Sequence, residues 1–162
     1  MQGGHQNHAA TSNGIQDGQY TMLVVNLGLS LLVMYLGMFA MIWSWGEFIQ
    51  NVNFFYMAVV MWAPMGAIML ATMGGMYRNR KLKTVLYLAF AAIFSLSLLG
   101  IRQQSLVSDR QFLRSMIPHH SGAILMCEQA KLRDPEVRQL CTGIIEAQKQ
   151  EIAQMKQIMG RI

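Results

Sequence analysis

Three long apolar runs with short polar breaks fill the middle of the chain, and the last third changes to apolar residues recurring at helical spacing. Between Met22 and Tyr77 the only Asp, Glu, Lys or Arg is Glu47, and between Thr84 and Ile101 there is none. The runs Met22–Trp45 and Phe54–Met76 exceed the roughly 20 residues that cross a bilayer core as helix, and Thr84–Ile101 is close to the short limit. The pattern predicts three transmembrane helices, at about 22–45, 54–76 and 84–101, within a membrane region of residues 21–104. Residues 1–20, rich in Gly, Gln, Asn, Ser and Thr, show no apolar period and are expected to form a disordered polar tail. His5 and His8 lie in it and read as solvated polar residues before they read as ligands.

Beyond the third run, residues 105–162 carry the pattern of a helical hairpin. Ser108 is placed to cap a first helix on which Phe112, Leu113, Met116, His119, His120, Ala123 and Cys127 recur. Asp134 followed by Pro135 marks the start of a second helix, since Asp is a favoured N-cap and Pro a favoured first helical residue. Its apolar side carries Val137, Leu140, Cys141, Ile144, Ile145, Ile152, Met155 and Met159, and its polar side Arg138, Glu146, Lys149 and Lys156. Pro118 interrupts the first helix, which either kinks there or restarts. A hairpin this short buries little apolar surface and calls for a partner. Two hairpins from two chains would make a four-helix bundle, and docking onto the membrane helices is the alternative.

Charge orients this frame. The protein is only 13% charged, with a formal net charge of +5. Arg78, Arg80, Lys81 and Lys83 crowd the connection between the second and third helices, and such a loop stays cytoplasmic. The N-terminus is then cytoplasmic, and the Glu47 loop and the hairpin lie outside, in the periplasm if the membrane is a bacterial inner membrane. Arg102, Arg110 and Arg114 flank the third helix and narrow the margin. No basic residue precedes the first run and it is too long for a signal-peptide core, so it is expected to be retained.

The candidate chemistry sits on the hairpin. Counting outward from Asp134 sets Cys127 opposite Cys141, His120 opposite Gln148, and Met116 opposite Ile152, within a turn of Glu151 and Met155. Met116, His119 and His120 stand at i, i+3 and i+4, and thioether, imidazole and thiolate donors together suit Cu(I) or Ag(I). Met116, His119 and His120 are therefore the expected primary ligands, Cys127, Cys141 and Met155 additional ones, and Glu151 the carboxylate that orients a histidine N–H. Each has a plainer reading: adjacent histidines are commonly surface or core residues, methionine fills cores, and two facing cysteines outside the cytoplasm can be a disulfide. Of the 15 methionines, Met57, Met61, Met65, Met69, Met73 and Met76 form a ribbon on the second membrane helix and Met34, Met38 and Met41 a shorter one on the first. Packing explains these ribbons better than a copper path, because no polar entrance is evident.

Neither a His-Glu-x-x-His motif nor a Glu-x-x-His pair is present, which removes a zinc protease and a di-iron carboxylate bundle. The dispersed basic residues give no nucleic-acid surface. From Asp109 to Arg161, the runs Met116-Ile117-Pro118-His119-His120, Asp134-Pro135-Glu136 and Gln148-Lys149-Gln150-Glu151-Ile152 resemble the domain-of-unknown-function family DUF305, in a membrane-attached form. The resemblance implies a ferritin-like helical bundle in a periplasmic, His/Met-rich copper and silver binder associated with metal resistance, with Met116, His119, His120 and Met155 at ligand-bearing positions. The expectation is an all-α protein: three transmembrane helices, then an extramembrane hairpin that is half of a ferritin-like four-helix bundle. It binds copper rather than catalysing, in a homo-oligomer, with periplasmic copper-handling proteins as partners. The competing expectation is a membrane scaffold or assembly subunit without metal.

Overall fold

The computed structural model describes residues 4–77 and 79–162, with side chains from Gly18 onward. It is all-helical, with no strand among the described residues. Helix α1 spans Gly4–Gly37, α2 Val52–Thr72, α3 Arg80–Gln103, α4 Asp109–Gln129 and α5 Pro135–Arg161, with a 3₁₀ turn at Trp45–Glu47. Three stretches are long and apolar enough to cross a membrane: Gly18–Gly37, Val52–Thr72 and Arg80–Gln103.

Two sequence boundaries move. Residues 4–20, expected to be a disordered tail, continue α1. Adding residues to an existing helix avoids the costly nucleation step, and the apolar span supplies the nucleus. The side chains of His5 and His8 lie outside the described residues. At its other end the first span stops at Gly37 rather than Trp45. Beyond it Phe39 is buried, while Met41, Trp43 and Trp45 are exposed, and hydropathy does not distinguish such a segment from a span.

The chain divides into two compact units, Met1–Met34 with Met57–Leu99, and Tyr35–Tyr56 with Gly100–Ile162. In the first, Leu23, Leu27, Ala63, Leu70, Tyr77 and Phe90 form the buried cluster. Gly66 lets α2 approach Phe90, since a Cβ there would lie 2.7 Å from the ring. Trp62 Nε1 donates to the Leu27 carbonyl at 2.7 Å. Val24, Val33, Ile68, Leu88 and Leu96 are exposed, as lipid-facing residues of a span are. The methionine ribbon shares that outward character: Met57, Met61, Met73 and Met76 are exposed, and Met69 packs on the cluster. Facing outward, those four thioethers do not line a channel within this unit.

In the second unit α4 and α5 form the hairpin. Ser108 caps α4 by accepting from Gln111 N, and Asp134 caps α5 by accepting from the backbone of Glu136 and Val137, with Pro135 in the first turn. Helix α4 runs unbroken through Pro118, which removes the alternative of a restarted helix. Ile117, Ile124 and Ile152 are the core, with Ile49, Ile145, Met155 and Met159 packed against it. The segment between the first two spans supplies a further wall. Phe39 stacks near Phe48 and Phe54, at ring separations of 4.3 and 5.0 Å. Met41 lies against Gly122, where a Cβ would come within 3.5 Å of its carbonyl.

Candidate metal centre and its supports

The turn between α4 and α5 sets the register that brings the candidate residues together. Cys127 and Cys141 meet as the count from Asp134 requires, and they are joined as a disulfide with a Cα–Cα distance of 5.3 Å. Of the two readings left open by the sequence, the structure takes the disulfide. In this oxidised form Cys127 and Cys141 are a covalent staple, and neither sulfur is a thiolate.

Two turns deeper, His120 is buried and both of its ring nitrogens are engaged. Nδ1 lies 2.9 Å from the Met116 carbonyl oxygen and Nε2 lies 2.7 Å from Glu151 Oε2. A carbonyl only accepts, so Nδ1 carries a hydrogen. Nε2 is then the ring nitrogen held against the Glu151 carboxylate. Glu151 is half-exposed and also accepts from Gln148 Nε2 at 3.5 Å. Counting across the turn set Gln148 opposite His120. Glu151 reaches the ring because it lies three residues further along the same face.

His119 is exposed, its ring 6.0 Å from that of His120 between centroids and steeply inclined to it. Met116 is half-buried, and Met155 is half-buried against Ile117, Ile124 and Ile152. Among the described residues no three His, Cys, Asp or Glu side chains converge. A closed zinc-type cage built from those donors is therefore not formed. What the arrangement offers is one oriented imidazole nitrogen beside a carboxylate, an exposed second imidazole, and thioethers on both helices.

A second cluster escaped the sequence reading. Glu47, 3% exposed, accepts from Ser121 Oγ at 2.6 Å and from Lys156 Nζ at 3.4 Å. Ser121 Oγ accepts in turn from Trp43 N at 2.5 Å. Trp43 Nε1 donates to Glu128 Oε2 at 2.6 Å, while Lys149 lies 4.5 Å above the Trp43 ring and donates to Glu128 Oε1. These contacts fasten the Trp43–Glu47 segment to both helices of the hairpin. The one signal for them in the sequence is Glu47 itself, a single acid in a long apolar stretch.

The Lys149 hydrogen bond, helped by that from Trp43, holds the Glu128 carboxyl below the ordinary value of 4.5. A depressed folded value means that this contact stabilises the fold above the unfolded pKa and is lost as pH falls through the folded one. Acid titration of the folded protein should therefore show a transition below 4.5 that Glu128→Gln removes. A transition unchanged in Glu128→Gln would place the acid response elsewhere.

The model of the family described as Domain of unknown function (DUF305) matches residues 64–159. The chain is similar to an uncharacterised protein of Acanthamoeba polyphaga mimivirus, 33% identical over 121 residues, which are 72% of this chain and 76% of that protein. No solved structure matches the chain significantly. A family match that runs from the second span through α5, over more than half of the sequence, shows that this chain belongs to the DUF305 family.

Proposed function

We propose that this is an inner-membrane protein whose periplasmic unit binds Cu(I) or Ag(I) and contributes to copper tolerance or handling. The supporting observation is the orientation of His120. Its Nδ1–H is fixed on the Met116 carbonyl, which leaves Nε2 as the nitrogen with a lone pair to give, the arrangement common to metal-ligating histidines. His119, Met116 and Met155 would complete a soft donor set, and copper would supply a thiophilic, imidazole-binding ion. An ion taken up at Nε2 would displace the contact with Glu151. Glu151 then remains beside the site as a carboxylate.

The basic connection around Lys81 supports the sidedness, with the N-terminus cytoplasmic and the hairpin periplasmic. Exposed Val137 and Leu140, on the hairpin and away from its core, favour a homo-oligomer in which two hairpins complete a ferritin-like bundle. Periplasmic copper-handling proteins are the corresponding partners, and no catalytic role is proposed.

Exchanging both His119 and His120 for Ala should weaken Cu(I) binding at least tenfold in chelator competition, with helicity retained by circular dichroism. Unchanged stoichiometry and affinity would sink the proposal. A second reading has an observation of its own, because both ring nitrogens of His120 already have protein partners and the imidazole can serve purely as a cross-link between α4 and α5. In that case the protein is a scaffold or assembly subunit. Copper would then leave its melting temperature unchanged, whereas an ion bound to the folded state must raise it.

A further inference from the structure

Arg114 belongs to the group of arginines that oppose the charge-based topology, and the proposed metal site does not use it. Its half-buried side chain lines a cavity of about 410 Å³ together with Tyr35, Gln50, Asn51, Phe55 and Gln111. All of these belong to one compact unit. Tyr35 lies in the last turn of the first span and Phe55 in the first turn of the second, so the cavity sits at the level where those spans end.

The neighbouring polar groups are largely committed. Gln111 Oε1 accepts from Val52 N, Asn51 Oδ1 accepts from Phe54 N, and Asn51 Nδ2 donates to the Ile49 carbonyl. Arg114 forms no ion pair with any described residue. A guanidinium presents a planar fork of donors suited to a phosphate or carboxylate, and here no carboxylate of a described residue pairs with it. Its surroundings are amides and two aromatic rings, of which Phe55 is 47% exposed. Aromatic rings at span ends and cationic pockets between membrane helices are the usual surroundings of lipid headgroups.

We propose that the Arg114 pocket binds the phosphate of an anionic phospholipid, with Phe55 and Tyr35 against the glycerol and the upper acyl chain. This assigns Arg114 to the interface and explains how a cation is accommodated on the side that the positive-inside rule leaves poor in charge. The site is independent of the metal reading. Its ligand chemistry, a phosphate oxyanion, is shared with free inorganic phosphate, and the acyl chain separates the two.

The test uses the full chain in detergent, titrated with phosphatidylglycerol, phosphatidylcholine or inorganic phosphate and followed by native mass spectrometry and thermal shift. Wild-type protein should retain phosphatidylglycerol at least tenfold more tightly than Arg114→Gln, should prefer it to phosphatidylcholine, and should gain little from inorganic phosphate. Equal retention by Arg114→Gln would overturn the proposal. So would full competition by inorganic phosphate, which would make the pocket a free-anion site. A readout without any variant is photoactivatable phosphatidylglycerol on the wild-type chain: it should label peptides carrying Tyr35, Phe55 or Arg114, and labelling confined to other peptides would also overturn the proposal.

Discussion

Ser121→Ala should destabilise the unit that contains the hairpin by about 2–4 kcal/mol, a large loss for the removal of one oxygen atom, because that oxygen joins a buried carboxylate to a part-buried backbone amide. Ser121 is fully buried, donates to Glu47 Oε2 and accepts from Trp43 N. Alanine leaves the Trp43 amide without this acceptor and Glu47 without its shortest donor, with only the longer Lys156 contact remaining for the carboxylate. A buried charge that loses a partner costs far more than a surface pair does. Glu47→Gln should be milder, since its amide oxygen still accepts from Ser121 while the buried charge disappears. Thermal melting of the detergent-solubilised protein measures both variants. Limited proteolysis adds a local readout: Ser121→Ala should speed cleavage between Phe39 and Asn51. A melting temperature and cleavage rate equal to wild type would show that the Trp43–Glu47 segment is not held by this network.

The contrast between that segment and the hairpin shows what the sequence can carry. Helices α4 and α5 were legible because their signals are local: Ser108 and Asp134 at the caps, Pro135 in a first turn, and an apolar period between them. The Cys127–Cys141 contact was legible for a related reason, since an antiparallel hairpin with a short turn converts sequence distance into spatial level. The packing of residues 38–51 was not. Phe39, Met41 and Trp43 raise hydropathy in the same way whether they meet lipid or another helix, and the Glu47–Ser121 bond joins residues 74 apart. His120 and Glu151 fall between these cases. Counting across the turn brought Glu151 within a helical turn of the site, but only the packed side chains pair it with Nε2.

Removing the disulfide should cost about 3 kcal/mol, the loop-closure entropy of a cross-link spanning about 15 residues. Cys127 and Cys141 are 14 residues apart in sequence and close the hairpin one turn from its connection. The effect is large in proportion because the hairpin core they secure is small, a buried cluster of Ile117, Ile124 and Ile152. A Cys127→Ser/Cys141→Ser variant should therefore melt well below oxidised wild type, and wild type reduced with a phosphine should melt with the variant. Coincident melting of oxidised and reduced wild type would mean that the cross-link adds nothing to the folded unit. The same pair of samples separates staple from ligand. If the ion is held by imidazole and thioether donors, oxidised wild type and the serine variant take up the same amount of Cu(I) at a temperature where both are folded. If thiolates are the ligands, reduced wild type binds more than either, because only reduction turns the two half-buried sulfurs into donors.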